Sequence, residues 1–116
     1  MSYSSVVSRY SVRIMFLVAA LNDLNIMMCD IGNAYLNAET REKVWFRAGD
    51  EWGNNRKGCP VIVIRALYGL KSSSAEWKKT FSDYIKSTLG YNSCIGADDN
   101  VYLHEEKDEF GIEYYS

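Results

Sequence analysis

The stretch from Ser73 to Leu89 constrains the fold of this chain more than any other. Trp77, Phe81, Tyr84, Ile85 and Leu89 recur at helical spacing, which predicts a helix with one apolar face. Ser73, with Glu76 three residues on, fits a capping box, in which each side chain satisfies a backbone N–H left open at a helix start. Gly90 follows at once, where a helix C-terminal stop is favoured. An amphipathic helix must lay its apolar face on another element, so the remaining segments decide the fold class.

Those segments alternate in character. Residues Ser8 to Asp23 are apolar on nearly every side (Val12, Ile14, Met15, Phe16, Leu17, Val18, Leu21), which predicts a buried helix. Leu24 to Asp30 reads as a short strand whose apolar stretch, Ile26-Met27-Met28-Cys29, is buried and ends on an aspartate. Gly32 to Asn37 reads as a turn or a short helical piece. Lys43 to Arg47 suits a strand of mixed exposure, and Gly49 to Gly58 suits a loop. Pro60 to Arg65 holds the β-branched run Val61-Ile62-Val63-Ile64, fit for a buried strand. Tyr68-Gly69-Leu70 is a turn. Val101 to Leu103 and Phe110 to Tyr115 read as two strands of a hairpin, joined by the charged turn Glu105-Glu106-Lys107-Asp108. Helices packed on one face of a mixed or antiparallel sheet make an α+β domain.

With 116 residues the chain suits one small domain, and its 47% hydrophobic content is globular rather than disordered. The net charge of -2 gives no chain-wide electrostatic footprint for nucleic acid. Cys29, Cys59 and Cys94 are widely spaced and His104 is the lone histidine, so no zinc-ligand pattern forms; reduced, partly buried thiols are expected. The apolar run Ile14 to Leu21 is too short to span a bilayer and is not followed by a clear cleavage site. A soluble, intracellular and cytoplasmic protein without membrane contact is the expectation.

Three features could carry chemistry. Asp30 ends an apolar run beside the turn Ile31-Gly32-Asn33-Ala34-Tyr35. A carboxylate there can bind a hard cation such as magnesium, or it can cap the following turn. Tyr68-Gly69-Leu70-Lys71 joins a glycine that admits close backbone approach to a lysine that can meet a phosphate as a point charge. It lacks the P-loop spacing and can also be an ordinary strand-to-helix turn. Asp98-Asp99 looks like a carboxylate pair, yet Gly96-Ala97 before it and a strand after it favour a solvated turn or strand entry. Trp77 and Phe81 suit a helix core better than base stacking, and His104 is assigned no role.

In order along the chain stand Val6-Val7-Ser8-Arg9, Ser11-Val12-Arg13, Ala19-Ala20-Leu21-Asn22-Asp23-Leu24, Asp30, Asn33-Ala34-Tyr35-Leu36-Asn37-Ala38, Ala66-Leu67-Tyr68-Gly69-Leu70-Lys71-Ser72 and Ala75-Glu76-Trp77. This series resembles the reverse transcriptase of copia-type LTR retrotransposons, an RNA-directed DNA polymerase, over nearly the whole chain from about Tyr3. The resemblance implies a palm-like sheet, with residues 1 to 116 forming the end of the fingers and part of the palm. It implies nucleotidyl transfer assisted by two magnesium ions that clamp attacking and leaving oxygens. Asp30 then matches the first catalytic, metal-binding aspartate, and Ile31 offers backbone contact beside it. Tyr35 matches the ring under the sugar that excludes a 2′ hydroxyl. Tyr68, Gly69, Leu70 and Lys71 match the segment beside the incoming nucleotide and template. The implied partners are an RNA or DNA template-primer, a deoxynucleoside triphosphate and the remaining polymerase segments.

Two departures qualify the match. Ser74 stands where the family usually has proline, which relaxes the local backbone. The family's aromatic-Val-Asp-Asp hairpin is expected just after Tyr114-Tyr115-Ser116, and Asp98-Asp99 do not replace it. With Asp30 alone, the expectation is weak or absent magnesium binding and no polymerisation by the isolated chain. The alternative is a non-catalytic binding or interaction module derived from such a polymerase.

Overall fold

Ser8 starts the first helix: its backbone is extended and its hydroxyl accepts the Ser11 N–H at 3.0 Å, satisfying one of the donors a helix start leaves open. In this computed structural model the described residues are 4–107, 109–110 and 113–115, the last three as backbone only. They divide into two compact units, Met1–Ser4 with Gly32–Thr80, and Ser5–Ile31 with Phe81–Ser116. The fold class is α+β, as expected. The strands pair as three separate two-stranded antiparallel ladders, so among the described residues no single sheet carries the helices.

In the first unit, β1 (Trp45–Arg47) pairs with β2 (Pro60–Ile62) in the register Trp45 to Ile62, Phe46 to Val61 and Arg47 to Pro60. The ladder is tied beyond β1 by Ala48 N–H on the Cys59 carbonyl at 2.9 Å and Gly58 N–H on the Ala48 carbonyl at 2.7 Å. Between them the expected loop contains a short 3-10 turn, Asp50–Trp52, and the Trp52 ring meets Phe46 edge-on at 6.1 Å. In the other direction, Val63 N–H reaches the Val44 carbonyl, Thr40 N–H the Ile64 carbonyl and Ala66 N–H the Ala38 carbonyl, each at 3.0 to 3.2 Å. The pairing thus runs on irregularly to Ala38 and Ala66, which are 1% and 0% exposed. The strand expected over Pro60 to Arg65 is shorter than predicted and not buried, since Ile62 and Ile64 face solvent. A two-stranded ladder covers side chains only where a further layer lies on it.

The second helix, α2, runs Ser73–Thr88, within a residue of the prediction. Its start differs in detail. Ser73 is already helical and buried, its hydroxyl donating to the Leu67 carbonyl at 2.6 Å, and Glu76 pairs with Arg41 at 3.4 Å. The capping box is therefore replaced by contacts to residues before the helix. Gly90 adopts a left-handed φ of 76°, which glycine takes without a Cβ clash, and Tyr91 N–H closes onto the Ile85 carbonyl at 3.2 Å. Trp77, Phe81 and Ile85 are half-buried, while Tyr84 and Leu89 remain exposed.

In the second unit, α1 (Arg9–Leu21) forms where expected, but its apolar faces are not buried. Ile14, Met15, Phe16, Leu17, Val18 and Leu21 are exposed, and Ala19 is its one buried residue. Tight contacts gather at its first turn, on Asp98, and leave the rest of the helix open. Apolar composition had registered a need for cover, not the presence of it. Leu24 to Asp30 is not a strand, and Met27 and Met28 are 90% and 92% exposed. No described strand pairs with this segment, so its backbone has no ladder to join. Cys29 and Cys59 are exposed rather than partly buried, and Cys94 is intermediate.

Val101 to Leu103 lies in β4 (Asp98–Leu103), whose partner is β3 (Asn92–Cys94) and not the C-terminal strand. The residues expected to turn, Glu105–Lys107, form β5 and pair with β6, Glu113–Tyr115. Asp108 lies outside the described residues. Among those described, no helix is long and apolar enough to cross a membrane.

Candidate functional site

The antiparallel pairing of Ala38 with Ala66 decides what meets at the end of the first unit. The chain enters Ala38 from a 3-10 turn, Ala34–Asn37, and leaves Ala66 into the turn Leu67 to Leu70. Both turns therefore emerge at the same end of the ladder. The 3-10 turn begins at Asn33, whose φ of 52° and ψ of 39° lie in the left-handed region that asparagine tolerates. Leu36 N–H on the Asn33 carbonyl at 2.9 Å and Ala38 N–H on the Tyr35 carbonyl at 3.0 Å close it.

From these turns Tyr35 and Tyr68 come together. Their ring centroids are 4.6 Å apart with planes tilted by 30°, within the range of attractive aromatic packing. Tyr35 is half-buried and Tyr68 largely exposed. Gly69 has φ +99° with open space where a Cβ would stand, so the turn needs glycine for its backbone and not for room. Leu70 is half-buried, and Lys71 is exposed.

Glu42, which sequence reasoning passed over, fastens this turn. One carboxylate oxygen accepts the Ser72 N–H at 2.7 Å and the Ser72 hydroxyl at 2.6 Å. These two bonds, hydroxyl first, hold its pKa below the ordinary carboxylate value, with a smaller contribution from the charge of Lys71 and some opposition from desolvation. Arg41 beside it pairs with Glu76. Nothing local in the sequence signals the contact, because Glu42 and Ser72 are 30 residues apart. An open groove of about 890 Å³ lies along the same ladder, lined among others by Glu42, Val44, Trp45, Ile62 and Ile64. It does not include Tyr35, Tyr68 or Lys71.

Asp30 and Ile31 belong to the second unit. Both are exposed, and Asp30 makes no hydrogen bond or ion pair among the described residues. It does not cap the turn that follows, since the capping position is Asn33, which itself makes no side-chain cap bond. Among the described residues no group of three or more His, Cys, Asp or Glu side chains is gathered to hold a metal. A two-metal centre requires several oxygen ligands, and these residues do not fit one.

Asp98, the tempting carboxylate, has a structural task instead. It accepts Ser8 N–H at 2.8 Å, Ser11 hydroxyl at 2.7 Å and Asn100 N–H at 3.0 Å. Those bonds, led by Ser8, hold its pKa far below the ordinary carboxylate range. Further along the chain, His104 Nδ1 lies 3.1 Å from Glu106 and its ring packs on Tyr91 at 5.0 Å, contacts that are structural.

No protein-family profile matches the chain, and no solved structure matches it. Curated proteins do. The chain is 31% identical over 93 residues, 80% of its length, to the transposon Ty1-BL Gag-Pol polyprotein of Saccharomyces cerevisiae (strain ATCC 204508 / S288c). It is 31% identical over the same span to the truncated transposon Ty1-A Gag-Pol polyprotein and to the transposon Ty1-DR4 Gag-Pol polyprotein of that yeast. The match takes in 5%, 8% and 6% of those proteins, so the chain spans a small fraction of each relative. The chain is thus homologous to a short stretch of Ty1 Gag-Pol polyproteins, which supports a retrotransposon origin.

Proposed function

We propose that the chain is part of the reverse transcriptase of a copia-type Gag-Pol polyprotein and that its first unit carries part of a deoxynucleotide-binding face. The observation behind this reading is the meeting of Tyr35 and Tyr68. The two segments that resemble the family's nucleotide-contacting motifs are far apart in sequence, yet their aromatic rings pack at 4.6 Å. In this reading the Tyr35 ring fills the volume that a 2′ oxygen would need. Gly69 gives the backbone its left-handed turn, and exposed Lys71 offers a point charge to a phosphate. Leu70 supplies backbone contact beside these groups, and Ile31 keeps the backbone-contact role that the resemblance assigns to it. Asp30 is the carboxylate assigned to magnesium. One such ligand does not hold two ions, so the isolated chain is expected to bind nucleotide weakly and not to polymerise.

A titration of the purified chain with dTTP, followed by NMR, tests the reading. The amide signals of Tyr35, Gly69 and Lys71 should move together. Shifts spread evenly over the chain, or none at high nucleotide, would count against a nucleotide face. Primer extension with magnesium should be absent; extension abolished by Asp30→Ala would overturn the inactivity. A second reading, a non-catalytic interaction module, draws on the uncovered apolar side chains of α1.

A further inference from the structure

Tyr35 has no hydrogen bond to its hydroxyl among the described residues, so packing sets the direction of its ring. The aromatic neighbour recorded for it is Tyr68, at 4.6 Å and 30°. Tyr68 itself sits on a turn held at both ends. Before it, the Leu67 carbonyl accepts the hydroxyl of buried Ser73; after it, Ser72 is gripped twice by Glu42. Gly69 gives the turn a conformation that a residue with a Cβ rarely adopts. Tyr35, by contrast, rides on a short 3-10 turn fastened by its own backbone. The anchored ring is therefore positioned to fix the less anchored one.

We propose that Tyr68 is a specificity-determining positioning residue: it holds the Tyr35 ring in the orientation that separates deoxyribose from ribose. This rests on the reading of Tyr35 as the sugar-facing residue. A ring excludes a 2′ oxygen only while it stays in the way. A tyrosine free to rotate about χ1 sweeps aside and admits the extra atom. Removing the Tyr68 ring leaves the chemistry of Tyr35 unchanged and removes the surface that limits its rotation. The phenol oxygen of Tyr68 is not required; the ring is.

The test compares dUTP and UTP, which differ only at the 2′ oxygen, for binding to the full chain by NMR titration, with Tyr ring signals recorded alongside. Wild type should prefer dUTP. Tyr68→Phe should keep that preference and the Tyr35 ring shifts. Tyr68→Ala and Tyr68→Leu should lose that preference, read as the ratio of the two affinities whatever their absolute values, and move the Tyr35 ring signals toward those of a mobile ring. Tyr68 is largely exposed, so both variants are expected to fold, and circular dichroism checks this. A folded Tyr68→Ala or Tyr68→Leu with its preference intact overturns the proposal while leaving the nucleotide face standing. Loss of preference in Tyr68→Phe overturns it as well, since the ring would then not be what matters. A wild type that binds both nucleotides equally, or neither, removes the underlying reading and the proposal with it.

Discussion

The segment from Ala38 to Glu76 and the segment from Ile14 to Ile31 hold their shape by opposite means. The first is rich in charge and glycine and is fastened by specific polar contacts: Glu42 on Ser72, Arg41 on Glu76, Ser73 on Leu67. The second is the most apolar stretch of the chain, and most of its large side chains face solvent. Polar fasteners find their partners within the segment itself. Apolar side chains need a surface to lie on, and that surface is a property of the surroundings. The buried hydrophobic residues among those described are four alanines, Ala19, Ala38, Ala48 and Ala66, so neither segment rests on a core of large side chains.

If this contrast is right, disturbing the apolar segment should change association, and disturbing the pinned segment should change stability. The largest effect is expected from α1. Exposed Ile14, Leu17 and Leu21 share a helix face, and such a patch drives self-association in water. Sedimentation velocity should show mass rising with concentration, and Ile14→Gln, Leu17→Gln and Leu21→Gln together should suppress it. A monomer at every concentration in the unaltered chain would break the comparison.

Within the pinned segment, Ala66→Leu forces a side chain into a site that is 0% exposed. Overpacking should cost roughly 1–3 kcal/mol in urea unfolding. Gly69→Ala meets no atom within 4 Å, yet its φ of +99° is strained for any residue with a Cβ. It should cost about 1–2 kcal/mol. A neutral result there would show that the turn relaxes, and that polar fastening is looser than it looks. In the second unit Ser8→Ala removes the helix cap and should cost about 1 kcal/mol.

The smallest expected effect is with pH. Glu42 and Asp98 both have pKa values held below their ordinary 4.5 and 3.8. Each therefore adds stability above its ordinary value, and that contribution is lost as pH falls through the lowered one. Melting temperature should decline first below about pH 4.5 and further below 3.8. Glu42→Gln should flatten the first part and Asp98→Asn the second. Both groups are solvent-accessible, so the changes are modest.

Local signals proved legible. The limits of α2, the turn at Tyr68 to Leu70 and the stop at Gly90 were all written in neighbouring residues. Burial was not, because α1 and Leu24 to Asp30 advertise apolar surface without naming what covers it. The strand pairing of Val101 to Leu103 was misread because a hairpin to either side satisfies the same alternation. For the candidate site, Tyr35 and the Tyr68 to Lys71 turn were visible one by one. Their contact follows from the Ala38 to Ala66 pairing, and two alanines carry no pattern. Glu42 and Asp98 act on partners 30 and 90 residues away, beyond any periodicity.

The pairing at Ala38 and Ala66 and the grip of Glu42 on Ser72 act as a clasp. The polypeptide enters and leaves the segment between them through one narrow opening. The far tip, Asp50 to Gly58, is solvent-exposed. Extra residues grafted there would lengthen a loop that is already closed, and closure entropy grows only with the logarithm of length. The tip is therefore where this chain can gain or lose sequence while the arrangement behind the clasp, with Tyr35 and Tyr68 at its mouth, stays as it is.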